Sequence, residues 1–563
     1  MRRAPVLLAC ALVLYAVLGA LTVNAVGIVG EVALGWSLPS PPRVLVDFQG
    51  TLADSWAWGP LHAAQVRPIE RLVLGPVELP LAINSYTGGL PDWPSRLIVA
   101  LGGGQLGAVT LHLLLGGLFI VLVHRFLRFH GLPGSGGLAA LILASDWGFV
   151  FYRKVLGGTE LLLLAAGLLL IWASWSRRWA GGRHGAVAIA VALGLGLLAK
   201  ATFLPTALAW ALAMLLTRRD RPELKPPPAP SWALLAGIVG LLTAPLWVTW
   251  LHHGLQVPAQ GHIQSHDFLG LQLERAFSGL SGLFSGERAP AREVPNTLIW
   301  YLGDPLAWLT QAYGGERPST LAWLRWVGWS VALAGSVLEW LRPRRDRCGA
   351  LLRILSLFVP LQILLLWLSN RDLHHLAQAT PPLAIWVGLA GTRLAAVRVH
   401  PKSWARGVVA GVLSLPLLLP GVDLLRRTDG LVDSGRVPTF SESGQSDLIE
   451  LLRANEVTRL VASDYDLYGM LEIRAPELQT THAWGAVSHA SDREQAWVEL
   501  LRLAQGQHLL LIRPSAPMRY NLSPTKSRVH KAQEQSGVTL ELVDTLEDGE
   551  GTWAWLYKVP PAP

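Results

Sequence analysis

The sequence has few charged residues and few cysteines for its length. Only 15% of its 563 residues are Asp, Glu, Lys or Arg, whereas 51% are hydrophobic and the mean hydropathy is +0.37. Soluble domains carry about 25% charged residues, so this composition is typical of a membrane protein. The two cysteines, Cys10 and Cys348, lie in an apolar run and in a basic segment. They provide neither a disulfide framework nor a cysteine metal site.

The net charge of +8 does not indicate a nucleic-acid partner. The basic residues occur in short clusters between hydrophobic runs, which is the pattern of cytoplasmic loops in membrane proteins. The expected partners are therefore membrane lipids and molecules dissolved in the membrane, and no nucleic acid.

Apolar runs long enough to cross a bilayer predict eleven membrane-spanning helices. They cover residues 5–26, 97–122, 132–150, 156–175, 185–201, 203–217, 231–251, 320–341, 350–369, 375–396 and 407–425. With this count the basic clusters fall in alternate loops on the side of Arg2 and Arg3, which predicts a cytoplasmic N-terminus. Merging the short fifth and sixth spans into one bent helix would break the alternation. The first run is interpreted as a span rather than a signal peptide cleaved near Ala25, and both alternatives place the following loop outside the cytoplasm.

Two domains follow from this topology. Residues 1–425 form a transmembrane domain with outer loops at 31–96 and 252–319, and residues 426–563 form an extracytoplasmic α/β domain. In the second domain, capping patterns predict three helices, beginning near Ser446, Ser491 and Ser523. Four strands are predicted, at 459–463, 508–512, 538–543 and 552–559.

Charged residues near the outer ends of the spans are the candidates for binding a substrate. A charge at membrane depth costs ~2.5–3.5 kcal/mol on insertion scales, which favours a functional role over chance. The alternative is that these side chains extend to the interface and anchor the span ends. The candidates are Arg153, Lys154, Glu160, Lys200, Arg371, His374 and His375, with Asp146 and Asp372 nearby. Lys and Arg side chains here suit a lipid-linked phosphate.

Four stretches resemble the GT-C glycosyltransferases, in particular bacterial relatives of the dolichyl-phosphate-mannose protein mannosyltransferases. The similar stretches are Leu79–Leu90 with Arg96-Leu97, Trp147–Lys154 with Glu160, Gly194–Thr202, and Asn370–His375 with Thr380-Pro381-Pro382. The resemblance implies transfer of a sugar from a polyprenyl phosphate to a lipid, glycan or protein acceptor, with inversion. It also implies a multi-pass protein of the bacterial cytoplasmic membrane whose active site faces outward.

The resemblance further implies roles for single residues. An acidic residue of the first outer loop acts as general base on the acceptor hydroxyl, and the cations with Tyr86 bind the donor phosphate. Counting back from Gly75 to the expected position of the base gives Leu61-His62 rather than a carboxylate. Asp47 or Asp54 is the preferred base. His62 is an alternative, because histidine titrates near neutral pH, and loss of transferase activity is a third.

No cofactor is expected. The histidines and carboxylates of residues 252–293 include potential metal ligands, but their spacing matches no compact zinc motif. Two other classes of function remain open. A flippase or scaffold for lipid-linked glycans needs charges through the full depth of the bilayer, whereas here they lie near one side. A glycan polymerase or ligase would use Arg371, His374 and His375 of the late outer loop.

Overall fold

The structure is a computed structural model. It describes residues 4–21, 70–94 with gaps, 104–150 apart from 147–148, 158–176, 183–217 apart from 201, 229–247, 324–398 apart from 344–345 and 370–375, 418–424, 442–463, 471–483 with gaps, 493–512, 526–548 and 551–561, with a few isolated positions besides.

Ten apolar helices make up the N-terminal part of the described chain. They are α1 (Ala4–Leu21), α2 (Gly104–Phe129), α3 (Pro133–Ser145), α4 (Gly158–Trp175), α5 (Arg183–Ala199), α6 (Phe203–Leu216), α7 (Ala229–Leu242), α8 (Arg325–Leu341), α9 (Arg347–Ser369) and α10 (Thr380–Arg398). They correspond in order to the first ten predicted spans. Within the eleventh, the described residues 418–424 are helical.

Two boundaries answer questions that the sequence left open. The fifth and sixth spans are separate helices, because α5 ends at Ala199 and α6 begins only at Phe203. Helix α2 continues to Phe129, seven residues beyond the predicted end of its span at 122, and exposes Arg125 and Arg128 along the way. It stops at Gly131, whose φ of 79° is a left-handed conformation that glycine adopts without strain.

The helices expose large apolar side chains, as helices in lipid do. On α2 the leucines 114, 118 and 122 lie one turn apart and are 68%, 54% and 37% exposed. Similar residues are exposed on α1, α6, α7 and α8, whereas Leu542 is the large apolar residue so exposed among those described after 441. Apolar area on this scale is stable only when lipid covers it. Two stretches of the described residues, Thr110–Phe129 and Cys348–Trp367, also meet the length and hydropathy of a complete span.

Small residues let these helices approach closely. A Cβ at Gly335 of α8 would lie 2.6 Å from the Ala390 side chain of α10, and one at Gly388 of α10 would lie 2.9 Å from the Ser135 carbonyl oxygen of α3. Such contacts between small residues are the usual way in which membrane helices gain packing energy. Helix α10 is thereby held between α3 and α8 in the centre of the bundle.

A buried ionic cluster joins α8, α9 and α10. The Glu339 carboxylate is fully buried and accepts hydrogen bonds from Arg353 Nη1 at 2.6 Å and from Arg393 Nε at 2.9 Å. Gly349 leaves room for it, because a Cβ there would lie 2.3 Å from Glu339 Oε1. The cluster lies beside the basic segment 342–347, which the sequence places in the cytoplasm.

Residues 70–88, within the predicted outer loop 31–96, contain a small antiparallel sheet that the sequence analysis did not predict. Its strands are β1 (Glu70–Leu74), β2 (Val77–Asn84) and β3 (Thr87–Gly88), in the order β1-β2-β3. Pro80 is tolerated within β2 because it lies beside the register shift at Arg71 and outside the residues that pair with β3. It hides the strand pattern from the sequence.

The C-terminal part of the chain forms a mixed sheet with helices on both faces. The strands are β4 (Arg459–Ala462), β5 (Gln479–His482), β6 (His508–Ile512), β7 (Glu541–Asp548) and β8 (Gly551–Lys558), in the order β5-β4-β6-β8-β7. The helices are α11 (Glu442–Ala454), α12 (Arg493–Leu503) and α13 (Lys526–Ser536). Alternate residues of β6 enter two cores: Leu509 and Leu511 contribute to the core that contains α12 residues, and Leu510 and Ile512 to the one that contains α11 residues.

The predicted strands 459–463 and 508–512 and the predicted helices near Ser491 and Ser523 are found close to their expected bounds. The first predicted helix begins at Glu442, so Ser446 lies inside it rather than at its N-terminus. Strand β5 was not predicted, because Gln-Thr-Thr-His carries no apolar alternation. Strand β7 begins at Glu541 rather than at 538, since Val538 is buried in the core before the strand starts. The predicted domain boundary at 425/426 stays a prediction.

The stability of this sheet is expected to depend on pH through His508. Burial, and then the positive charge of Lys558 on the adjacent strand β8, lower the pKa of His508 below its ordinary value of 6.5. The unfolded state therefore binds the proton more tightly, and the stabilisation, full above about pH 6.5, is lost as the pH falls toward the folded pKa. Amide protection factors of β6 and β8 in the full chain should be higher at pH 7 than at pH 5. His508→Gln should reduce that difference, and an unchanged difference would contradict the assignment.

Candidate functional site

Lys200 lies at a tight corner between α5 and α6. Its side chain is 1% exposed, its N–H donates to the Gly196 carbonyl oxygen at 3.0 Å, and its own carbonyl oxygen accepts from the Phe203 N–H at 2.9 Å. The sequence explains the corner, because a Cβ at Gly196 would lie 2.2 Å from the Phe203 ring and one at Gly194 would lie 2.6 Å from Leu242 of α7. The Gly/Leu-rich stretch that ends in Lys200 therefore encodes close packing that buries the lysine.

The end of the first outer loop reaches the same corner. Strand β3 contacts α5, and Leu90, directly after the Gly88-Gly89 pair, packs against Leu198 and Leu246. Leu198 lies two residues before Lys200 in the chain. Two of the four stretches that carry the resemblance are thus brought together, although they are about a hundred residues apart in sequence.

A polar network ties a third stretch to this corner. The 3-10 turn Ala377–Ala379 precedes Thr380-Pro381-Pro382, and its Gln378 donates from Nε2 to Thr202 Oγ1 at 3.3 Å. Gln378 Oε1 accepts from Thr206 Oγ1 at 3.3 Å, and Thr206 accepts from Gln362 Nε2 at 3.1 Å. Sequence reasoning missed Thr206, Gln362 and Gln378 as parts of the site. Their signal was available, since buried amides and hydroxyls inside apolar spans need partners.

Asp146 at the end of α3 has structural contacts. Its Oδ1 accepts from the Phe149 N–H at 3.0 Å, and its Oδ2 lies 3.8 Å from Arg325 Nη2 at the start of α8. Residues 418–424 pack against this point so closely that a Cβ at Gly421 would lie 1.7 Å from the Ser145 carbonyl oxygen. Asp146 therefore links the C-terminal end of α3 to the N-terminal end of α8 through Arg325.

Lys200 and Asp146 are the charged candidates of the sequence analysis whose side-chain surroundings the structure describes. Glu160 lies in α4, but its side chain is outside the described set. The others that lie outside the described residues are Asp47, Asp54, His62, Tyr86, Arg153, Lys154, Arg371, Asp372, His374 and His375. Their roles stay predictions.

In the described part of the chain no three His, Cys, Asp or Glu side chains approach closely enough to hold a metal ion. The histidine-rich segment 252–293 is not part of that set. The expectation that no cofactor is needed stays a prediction.

The fold was compared with known proteins. Neither a protein-family model nor a curated protein matches the sequence. Among solved structures, the oligosaccharyltransferase of Archaeoglobus fulgidus, in complex with Zn and sulfate, matches 90% of this chain and 68% of its own, with a TM-score of 0.50 and 13% identity. The chain shares the overall fold of this oligosaccharyltransferase. At this identity the likeness is one of fold.

Two further solved structures align with this chain. ArnT from Cupriavidus metallidurans, bound to undecaprenyl phosphate, has a TM-score of 0.49 at 13% identity and matches 98% of this chain and 97% of its own. The oligosaccharyltransferase AglB from Archaeoglobus fulgidus, in complex with an inhibitory peptide and a dolichol-phosphate, has a TM-score of 0.43 at 14% identity, with 90% and 69% matched. The likeness of fold agrees with the resemblance that the sequence analysis predicted.

Proposed function

We propose that the chain is a membrane glycosyltransferase that takes a sugar from a polyprenyl phosphate on the outer side of the bacterial cytoplasmic membrane. The acceptor is a lipid, glycan or protein. The observation that supports this most directly is the burial of Lys200 at the corner of α5 and α6, within the fold shared with the oligosaccharyltransferase, next to the end of the first outer loop.

The surroundings of Lys200 favour an anionic ligand. Lys200 is 1% exposed at the end of an apolar helix, where a negatively charged group is the most favourable neighbour for an ammonium. The N-terminus of α6 lies at the same corner, and the positive end of a helix dipole adds to the attraction for a phosphate. A polyprenyl phosphate has the matching chemistry, since its chain lies in the bilayer and its phosphate at the boundary.

The reaction assigns the remaining candidates as follows. The acceptor hydroxyl gives its proton to Asp47 or Asp54 as its oxygen bonds to the anomeric carbon, with His62 as the alternative base. The bond from that carbon to the phosphate oxygen breaks, and polyprenyl phosphate leaves with the electron pair. Arg153, Lys154, Lys200, Arg371, His374 and His375 stabilise its charge, with Tyr86 and Glu160 at the donor. The C-terminal sheet lies outside the cytoplasm in this topology.

A second function keeps the lipid ligand without the transfer. The position of the expected base reads Leu61-His62, which favours a protein that binds or moves lipid-linked glycans, or a glycan polymerase or ligase that uses the late outer loop. All of these alternatives require the phosphate to bind near Lys200, so they differ in catalysis rather than in the lipid.

Replacement of Lys200 by methionine tests the proposal. Loss of one charge-assisted hydrogen bond, worth about 1.5–3 kcal/mol, should weaken binding of undecaprenyl phosphate roughly 10-fold to 150-fold. Native mass spectrometry of the full chain in detergent measures the affinity, and transfer from a radiolabelled pool of polyprenyl-phosphate sugars measures activity. Lys200→Arg should retain part of both.

Lys558→Met is the matched control, because Lys558 is an exposed lysine on β8. It should bind the lipid as the wild type does. Equal affinity in Lys200→Met and wild type would overturn the site. Binding without transfer of any sugar from the pool would favour the second function.

A further inference from the structure

Four polar side chains beside the Lys200 corner form a series of hydrogen bonds in which each side chain donates to the next. Gln362 donates to Thr206, Thr206 donates to Gln378, and Gln378 donates to Thr202, at 3.1, 3.3 and 3.3 Å. Gln362 Nε2 also donates to the Gln378 carbonyl oxygen at 3.3 Å, so both of its amide hydrogens are used. Bonds aligned in this way polarise and strengthen each other in a medium of low dielectric constant.

One hydrogen-bond acceptor in this series, on Gln362, is not used. Gln362 is 1% exposed, and its Oε1 has no hydrogen-bond partner among the residues that the structure describes. Gln362 also lines a small cavity whose other walls are mostly apolar, among them Leu164 and Phe358, and include the polar residues Thr206 and Gln378. Its volume of ≈ 10 Å³ is about the space that one water molecule needs, and three polar side chains suffice to hold one. A buried amide oxygen without a partner is costly inside a membrane.

We infer that one water molecule occupies this cavity and donates to Gln362 Oε1, and that the completed network makes Gln378 and Thr206 positioning residues for the Lys200 phosphate site. The inference about positioning rests on the proposed function, whereas the water site stands on the geometry alone.

The positioning role follows from the elements that these hydrogen bonds connect. Thr202 lies two residues after Lys200 and Thr206 on the first turns of α6, while Gln362 belongs to α9 and Gln378 to the turn before α10. Three elements that are distant in sequence thus meet at one group of hydrogen bonds. In sequence, Gln378 also lies three residues after His375. Removal of the Thr206 hydroxyl breaks the two bonds that join α6 to Gln362 of α9 and to Gln378 Oε1, while the Gln378–Thr202 bond and Lys200 stay in place.

Thr206→Val and Thr206→Ser test this, with Thr217→Val as the control. Valine has the shape of threonine without the hydroxyl, so two hydrogen bonds are lost. At about 0.5–1.5 kcal/mol for each bond, affinity for undecaprenyl phosphate should fall roughly tenfold. Serine keeps the hydroxyl and should restore the affinity to within about twofold, which a merely structural loss of packing would not do. Thr217 is also buried, at the end of the same helix, but donates only to the Ala213 carbonyl oxygen of that helix, so its variant should bind as the wild type does.

A density map of the full-length protein tests whether a water molecule occupies the cavity. We expect a peak about 3 Å from Gln362 Oε1, absent in Gln362→Met; an empty cavity in a map that resolves other buried waters would overturn it. Equal lipid affinity of Thr206→Val and Thr217→Val, while the wild type binds, would overturn the positioning role.

Failure of the wild type to bind undecaprenyl phosphate would instead reject the proposed function. In that case, thermal unfolding in detergent tests whether the hydrogen bonds link the helices. A lower Tm for Thr206→Val than for Thr217→Val supports the link between the elements, and an equal Tm overturns it.

Discussion

Replacement of Glu339 by alanine is expected to destabilise the helix bundle strongly, because it removes the carboxylate that two buried arginines share. Arg353 and Arg393 contact that carboxylate at 2.6 and 2.9 Å. Removing one partner of a buried ion pair typically costs about 3–5 kcal/mol, because the remaining charge is desolvated and uncompensated. Here two charges remain, on two different helices.

Unfolding of the detergent-solubilised full chain, followed by circular dichroism against denaturant, measures the effect. Glu339→Gln should be intermediate, since the amide oxygen still accepts one hydrogen bond. The triple variant Glu339→Leu, Arg353→Met, Arg393→Met should recover most of the loss, because apolar residues of similar volume replace buried ion pairs without penalty.

The exposed pair of Arg453 and Glu477 is the control. Its side chains are 55% and 48% exposed, and Glu477→Ala should cost less than about 1 kcal/mol. A loss no larger for Glu339→Ala than for Glu477→Ala would show that the buried cluster contributes nothing to stability.

Loss of both first-loop carboxylates is expected to have the largest effect on activity. A positioned general base contributes typically 10²–10⁴-fold, so Asp47→Asn with Asp54→Asn should lower kcat for sugar transfer by about that factor. Binding of undecaprenyl phosphate should change little, because the proposed phosphate site uses cations. Each single variant then identifies which carboxylate is the base.

His62→Gln separates the alternatives. Suppose that His62→Gln lowers kcat by the factor expected for the double carboxylate variant, and that the double variant is fully active. Histidine is then the base, and the assignment to Asp47 or Asp54 is wrong. Full activity of the double variant together with His62→Gln would remove the first outer loop from proton transfer. Asp544→Asn, on the exposed strand β7, is the control for a carboxylate outside the proposed site.

The helical bundle was predictable because a bilayer requires long apolar runs, which can be recognised in the sequence without knowing the tertiary contacts. Ten described helices lie where these runs are, and the separation of α5 from α6 follows from the alternation of basic loops. Strand β6 was located correctly because His508–Ile512 is a short apolar run between polar segments. Strand β5 and the sheet of the first outer loop were missed, since their short polar or proline-containing segments form strands only through pairing with neighbours.

The candidate site likewise contains one residue that the sequence predicted and several that it did not. Lys200 could be singled out from sequence, because a charge at the end of an apolar run is costly wherever it folds. Its neighbours could not, since Thr202, Thr206, Gln362 and Gln378 are each unremarkable in the chain and meet only after α6, α9 and the turn before α10 have packed. Sequence by itself determined the membrane class, the order of the ten described apolar helices and the position of one buried cation. Tertiary structure decided which helices touch, where the first outer loop ends, and which hydrogen bonds surround that cation, because those properties depend on contacts between residues far apart in the chain.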